Sequence, residues 1–310
     1  MEVQKLKAAL EGAAARGRVA LIGHDTPDVD SVVSCALMRS LCRAWGVPAE
    51  IILPTQADEQ TRRILPQFGL FPDAFLKPTR PDDQLVLLDH HQAFHAGQIC
   101  ACIDHHLTAY PPEGEFVCIK PVGACALLVM RLMEAAGVAL TRAERELVVL
   151  AMYLDTIALR SSKISIDERR WAHDEAVRLG MDEAWLEREG MDLADMTLPP
   201  ETLAMMGRKR YDFAGVSVCS TYVQTDAMTS ALLDAILGIL RAETAREGVQ
   251  RWVFLVHNPC LERTDRYDLF PGGGIRATHY DFLASRGKVI MPDVERQMTE
   301  ERHGGLAERT

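Results

Sequence analysis

The feature that most constrains this chain is an alternation of short apolar runs with longer helix-period segments across residues 18–180. Residues 18–23 (RVALIG) read as a buried strand, 31–45 as a helix stopped by Gly46, and 49–53 as a second strand. Gln84–Leu88, 99–103 and Phe116–Ile119 read as three more strands. Helices are expected at 123–136, 142–153 and 167–179. Strands that alternate with helices imply an α/β fold with a mostly parallel sheet flanked by helices. Such sheets bind ligands outside the carboxyl ends of their strands. The residues that follow each strand are therefore where chemistry is expected.

The periodicity breaks at 192–200, where Pro199 and Pro200 close an irregular stretch. This divides the chain into a first domain, 1–191, and a smaller α/β accessory domain, 192–310. In the second, 215–223 and 251–257 read as strands, 228–247 as a helix stopped by Gly248, and 272–274 as a turn. The tail after Met298 reads as frayed.

Three loops carry the polar chemistry. His24-Asp25-Thr26-Pro27-Asp28-Val29-Asp30-Ser31 joins the first strand to the first long helix. His24, Asp28 and Asp30 offer one nitrogen and two carboxylate donors, and Asp30 or Ser31 can cap the helix. Carboxylates suit hard divalent cations, and an added imidazole shifts the choice toward Mn²⁺ or similar metals. Alone, this loop reads equally well as a cap with an exposed turn. Asp89-His90-His91 directly follows the strand QLVLL, and Asp104-His105-His106 directly follows ICACI. One such triplet is accounted for as a polar strand end; two, together with the first loop, are not. Asp155 ends the apolar helix LVVLAMYLD, where the helix dipole disfavours a carboxylate, and ligation of a metal would explain it.

The formal charge of −10 disfavours long nucleic acids, whose binding depends on neutralising phosphates, but leaves room for a small anionic substrate. No apolar run reaches the roughly 18 residues of a membrane span, and the first 17 residues lack the apolar stretch of a secretory signal. Eight cysteines without framework spacing suit reduced thiols in the cytoplasm.

The four segments, in this order, resemble the DHH phosphoesterase superfamily, and within it the family II, manganese-dependent inorganic pyrophosphatases and their exopolyphosphatase relatives. In the second half, MMGRKRYDFAGVSVCSTYVQTD resembles that branch's basic segment, and SRGKVIMP its Ser-Arg-Lys signature. The likeness runs from Val19 to about Pro292. It implies that His24 and Asp28 bind one divalent cation, that Asp30, His105 and Asp155 bind another, and that Asp89 bridges the two. It further implies that His106 faces the substrate phosphate, that Lys209 and Arg286 hold phosphates, and that the active site lies in the cleft between the domains. Two metals about 3.5–4 Å apart can generate a bridging hydroxide and clamp an in-line displacement at phosphorus.

Three positions depart from the family pattern. His91 stands where the pyrophosphatases usually have Asn. Gly287 separates Arg286 from Lys288, where the signature has Lys directly after Arg. The segment after Asp155 reads TIALRSSKIS, without the usual Lys-Ser-Pro. If residues 286–288 lie on a strand, Arg286 and Lys288 share a face and the pocket holds the leaving phosphate differently. Pyrophosphate is then expected to be cleaved less well than by dedicated members.

The expectation is thus two-metal hydrolysis of a phosphoanhydride, in pyrophosphate or short polyphosphate, with Mn²⁺ first and Co²⁺ or Mg²⁺ as alternatives. A homodimer is the assembly to test. The nearest alternative is a DHH phosphodiesterase of short or cyclic nucleotides. Its glycine-rich loop has a partial counterpart in residues 271–275, but Ile275 stands where that branch has His, and no aromatic lies within the four motifs. A non-catalytic phosphate- or nucleotide-binding regulator ranks last, because every implied metal ligand is present.

Overall fold

A computed structural model describes residues 2–92, 95–108, 110–213 and 215–307, with the side chains of 301–307 left aside. The chain forms two compact units. One comprises the chain up to Leu159 together with Lys163–Gly190, and the other Arg160–Ser162 together with the chain from Met191 onward.

The first unit opens with α1 (Glu2–Arg16), β1 (Val19–Ile22), α2 (Val29–Ala44), β2 (Ala49–Ile51) and α3 (Glu59–Ile64). It continues through β3 (Gln84–Leu88), β4 (Gln98–Asp104), β5 (Phe116–Ile119), α4 (Cys125–Ala135), α5 (Arg142–Asp155), α6 (Ile166–Leu179) and α7 (Glu183–Met191). Its five strands are all parallel, in the order β2-β1-β3-β4-β5. Every residue of β1 and β3 is buried, as expected for continuous apolar strands covered on both faces. Helix α1 packs across β1, β3, β4 and β5, while α2 packs on β1, β2 and β3 and also on α4 and α5. The register places Ile22 beside Leu87 and Leu88 beside Ile103, so the loops after β1, β3 and β4 leave the sheet side by side.

The second unit contains α8 (Pro200–Ala204), β6 (Lys209–Asp212), β7 (Ser217–Gln224), α9 (Ser230–Glu247), β8 (Arg251–Asn258), β9 (Arg263–Leu269), β10 (Ile275–Tyr280) and α10 (Met291–Ala307). Its sheet runs β10-β9-β8-β7-β6 and is mixed: β7 and β8 are parallel, the other pairs antiparallel. Trp252 and Phe254 point from β8 into a core with Ile236 and Leu240 of α9. Val253 and Leu255 alternate to the opposite face and meet Ile290, Met291 and Val294. Residues 160–162 join this unit: Ser161 bridges Leu283 in parallel, and the Ser162 N–H donates to the Leu283 carbonyl at 3.1 Å.

Three expectations change. Residues 286–288 are not on a strand: Arg286–Ile290 is one π-helical turn, capped by Ser285 and running into α10. Side chains two positions apart on a helical turn do not face each other, so Arg286 and Lys288 do not share a face as they would on a strand. The stretch after Met298 does not fray but continues α10 to Ala307, and 308–310 lie outside the described residues. The cap of α2 is Asp28 rather than Asp30 or Ser31, its carboxylate accepting the Ser31 N–H at 3.0 Å. The glycines at 272–274 do form a turn, between β9 and β10, with the Phe270 N–H donating to the Gly274 carbonyl. Among the described residues no helix is long and apolar enough to cross a membrane.

Candidate metal centre

The first loop is set by a close approach. A Cβ on Gly23 would sit 2.0 Å from Ser31 Oγ, so only glycine lets the end of β1 meet the first turn of α2. The His24 N–H donates to that same hydroxyl at 3.2 Å. His24 Nε2 then lies 3.3 Å from Asp28 Oδ2 and 3.4 Å from Asp89 Oδ2. Asp30 is buried in the first turn of α2 and accepts the backbone N–H groups of Cys125 and Ala126, at 2.6 and 2.8 Å. These are orphan donors of the first turn of α4, where an anion is favoured.

Asp89 follows β3 with φ +66°, a left-handed conformation rare outside glycine but more open to Asp than to most residues. Its carboxylate is buried, and Oδ1 reaches 3.1 Å from His105 Nε2 and 3.8 Å from His106 Nδ1. His105, at the end of β4, has Nδ1 3.1 Å from the Val122 carbonyl. That contact makes Nδ1 the protonated nitrogen and turns the Nε2 lone pair inward. Nε2 is 3.6 Å from Asp155 Oδ2 and 3.9 Å from Asp30 Oδ2.

Six of the residues singled out from sequence therefore converge in two groups. His24, Asp28 and Asp89 each present a donor atom within 4.8 Å of one another, and so do Asp30, His105 and Asp155. Asp89 has oxygens toward both groups. A third set, Asp89 with Asp104, His105 and His106, meets the same criterion.

The electrostatics say what such a pocket wants. Burial, reinforced by Asp28, pushes the Asp89 carboxyl up to about 7, and burial with the neighbouring Asp89 raises Asp30 well above the ordinary range. Asp89 Oδ1 and His105 Nε2 are buried without a hydrogen-bond partner although they lie 3.1 Å apart. Two lone pairs that face each other in a buried pocket suit a cation between them, and the donor set fits a divalent one. Asp104 is the contrast. Burial works against its charge, but hydrogen bonds from His106 and His91 outweigh it and hold this carboxyl below its usual value. It is 2.9 Å from His106 Nδ1 and 2.7 Å from His91 Nδ1. Its neighbours in sequence gave no sign of this grip; the second His of the first triplet was the one available clue.

Residues 18–159 match the DHH family, N-terminal domain. The matched stretch holds the whole parallel sheet, β1 to β5, and the donor residues. Over more of the chain, the manganese-dependent inorganic pyrophosphatase of Methanothrix thermoacetophila is 25% identical across 306 residues, covering 89% of this chain and 96% of its own length. Among solved structures, a Methanococcus jannaschii protein assigned to the family II inorganic pyrophosphatases superposes with a TM-score of 0.72 at 21% identity, covering 89% of this chain and 98% of its own. An exopolyphosphatase-related protein from Bacteroides fragilis matches with a TM-score of 0.50 at 15% identity, over 99% and 97% of the two chains. The fold is thus shared with both, and the resemblance read from the motifs holds.

Lys209, Arg286 and Lys288 lie outside the matched residues, in the second unit. Lys209 opens β6 and is exposed. Arg286 stacks on Tyr222, 5.0 Å from the ring centroid, and donates to the Gly207 carbonyl two residues before Lys209. A Cβ on Gly207 would sit 2.1 Å from the Tyr222 ring, so this glycine makes room for the ring that carries Arg286. The Lys288 N–H donates to Ser285 Oγ at 3.3 Å. Sequence reasoning missed Lys163, whose ammonium binds both oxygens of Asp155 at 2.6 and 2.8 Å. It lies in the TIALRSSKIS segment that departs from the family pattern.

Proposed function

We propose that the protein is a metal-dependent phosphohydrolase that cleaves the phosphoanhydride bond of pyrophosphate or short polyphosphate with two divalent cations. The observation that carries this is Asp89: a buried carboxylate, pushed toward neutrality, with oxygens toward two donor groups at once. His24 and Asp28 would hold one ion, Asp30, His105 and Asp155 the other, and Asp89 both. Bound there, two divalent cations would lower the pKa of a coordinated water and neutralise charge on phosphate oxygens. The mixture of imidazole and carboxylate donors favours Mn²⁺, with Co²⁺ or Mg²⁺ as substitutes.

The chain's own residues divide the remaining work. His106, held at Nδ1 by Asp104, keeps Nε2 for a phosphate oxygen. Lys209, Arg286 and Lys288 supply the cations that neutralise the transferred and leaving phosphates. In this reading the first unit is the catalytic domain and the second binds substrate. Eight unpaired cysteines fit a reducing, cytoplasmic setting.

The test is phosphate release by metal-stripped protein restored with Mn²⁺, Co²⁺ or Mg²⁺. The substrates are pyrophosphate, tripolyphosphate, a dinucleotide and a cyclic dinucleotide. Release from the first two with Mn²⁺ is expected. Cleavage of a dinucleotide with none of pyrophosphate or tripolyphosphate would replace this reading by the phosphodiesterase one.

A further inference from the structure

One end of the centre holds an ammonium in direct contact with a ligand carboxylate. At the His24–Asp28–Asp89 end, His24 pairs with Asp28 and Asp89. At the other end an ammonium is already in place. Lys163 Nζ bridges both oxygens of Asp155, and the two side chains are only 14% and 16% exposed. The contact is a close two-oxygen ion pair in which the lysine is the cation.

The connection between the two residues is stiff. α5 ends at Asp155, and Ile157, Ala158 and Leu159 follow with φ of 53°, 49° and 62°. Three left-handed residues in succession, one of them β-branched, persist only where the surroundings impose them. Here the Ala158 N–H donates to the Tyr153 carbonyl at 2.8 Å and the Leu159 N–H to Thr156 Oγ1 at 3.2 Å. Gly190 closes over the turn so tightly that a Cβ would lie 2.6 Å from the Tyr153 oxygen and 2.9 Å from the Ala158 nitrogen. Two residues after Lys163, Ser165 caps α6 through the Glu168 N–H. Asp155 and Lys163 are thus anchored on neighbouring helix ends.

We propose that Lys163 is a positioning residue and resident cation that makes the Asp30–His105–Asp155 end of the centre the weaker of two divalent-cation sites. The inference rests on the two-metal reading above. Each Asp155 oxygen spends one lone pair on the ammonium, so the carboxylate keeps fewer lone pairs, and less negative charge, for a metal. A divalent ion placed there also sits close to a fixed positive charge in a medium of low dielectric, which costs affinity. The other end carries no such penalty from Lys163 in direct contact. The protein would then fill its sites in order, the second only as free metal rises.

Titration of the metal-free, full-length protein with Mn²⁺, followed by the electron paramagnetic resonance signal of free Mn²⁺, separates the two affinities without any assay of activity. Wild type is expected to bind two ions with distinct affinities. Lys163→Met should tighten the weaker class by about tenfold or more while leaving the tighter class within about threefold. Lys163→Arg should return the weaker class toward wild type. Lys163→Gln, which keeps a polar contact to Asp155 without the charge, should behave as Met does and guards against a folding defect in the Met variant. A weaker class that stays put or loosens in both neutral variants would overturn the proposal while the two-metal reading stands. Wild type that binds no Mn²⁺ would overturn both.

Discussion

The two ends of the parallel sheet treat buried charge in opposite ways. At the amino-terminal end of β1 and β3, Arg18 and Asp83 meet in a two-pronged pair, with Nε and Nη2 each 2.7 Å from a carboxylate oxygen. The Arg80 N–H adds a third bond, also at 2.7 Å. At the carboxyl-terminal end of the same two strands, His24 and Asp89 stand among Asp28, Asp30 and Asp155, where four carboxylates crowd together and the ammonium of Lys163 grips Asp155. The second unit repeats the first arrangement in its interior: buried Arg266 bonds buried Asp268 and, at 2.8 Å, Asp293. Burial of ionisable groups is therefore not what marks a functional site in this molecule. What marks it is burial with carboxylates in excess, so that Asp30 and Asp89 are pushed up by burial and by the charge of neighbouring carboxylates.

The sharpest way to break this comparison is to remove a charge at each place. Asp89→Asn should lower phosphohydrolase turnover by about a thousandfold or more, because one carboxylate serves both donor groups. It should also raise the thermal stability of metal-free protein, since a buried unmet carboxylate is removed. A folded Asp89→Asn variant with near-wild-type turnover would end the bridging role. Arg266→Met should do the reverse: a loss of about 3–5 kcal/mol in stability, because two carboxylates are left uncompensated, with unchanged Mn²⁺ stoichiometry in calorimetric titration. If Arg266→Met abolished metal binding at temperatures where it is folded, the paired and unpaired clusters would not be independent.

Much of this contrast is legible in sequence, for physical reasons that differ by residue. His24, Asp28, Asp89 and His105 follow strands whose apolar runs are unmistakable, and a parallel sheet brings successive strand ends together whatever the loops between them do. Asp155 betrays itself as a carboxylate at the wrong end of a helix. Lys163 gives no such signal: its partner is eight residues away across three left-handed residues, and no periodicity announces that conformation in Ile157, Ala158 and Leu159. Arg286–Ile290 fails differently. The apolar VIMP and the Gly suggest a strand, but Ser285 caps a helical turn there, and a local hydrogen bond overrides the pattern. The second sheet was half visible, since β7 and β8 are apolar runs while β9 and β10 are rich in charge and polar residues.

A smaller effect probes how firmly the unbalanced end is held. Gly190→Ala places a Cβ inside backbone contact distance of Tyr153 and Ala158, so the left-handed turn after Asp155 must shift. A loss of about 1–3 kcal/mol is expected in denaturant unfolding, together with weaker Mn²⁺ binding at the Asp30–His105–Asp155 end. Lost stability with unaltered metal affinity would mean that the turn supports the fold without aiming Asp155.

The smallest effect belongs to the balanced end, and it carries a pH signature. Burial pushes the Asp83 carboxyl up, but the Arg18 side chain and the Arg80 N–H outweigh it and leave it below the ordinary carboxylate value. A carboxyl that is more acidic in the folded than in the unfolded chain stabilises the fold at every pH above its unfolded value, about 3.9. That contribution is lost as pH falls through the lower, folded value. Asp83→Asn keeps the shape of the side chain and removes the charge, so it should cost about 1–2 kcal/mol at pH 6.5. Below about pH 4 the carboxyl of the unfolded chain begins to take up a proton while the folded one is still charged, so the gap between the two proteins should narrow. Ionisable groups elsewhere in the molecule are common to both proteins and cancel in the difference. Urea midpoints of the metal-free pair at pH 6.5 and pH 3.5 provide the measurement. A gap that persists undiminished at the lower pH would mean that shape and hydrogen bonding, rather than charge balance, secure this end of the sheet.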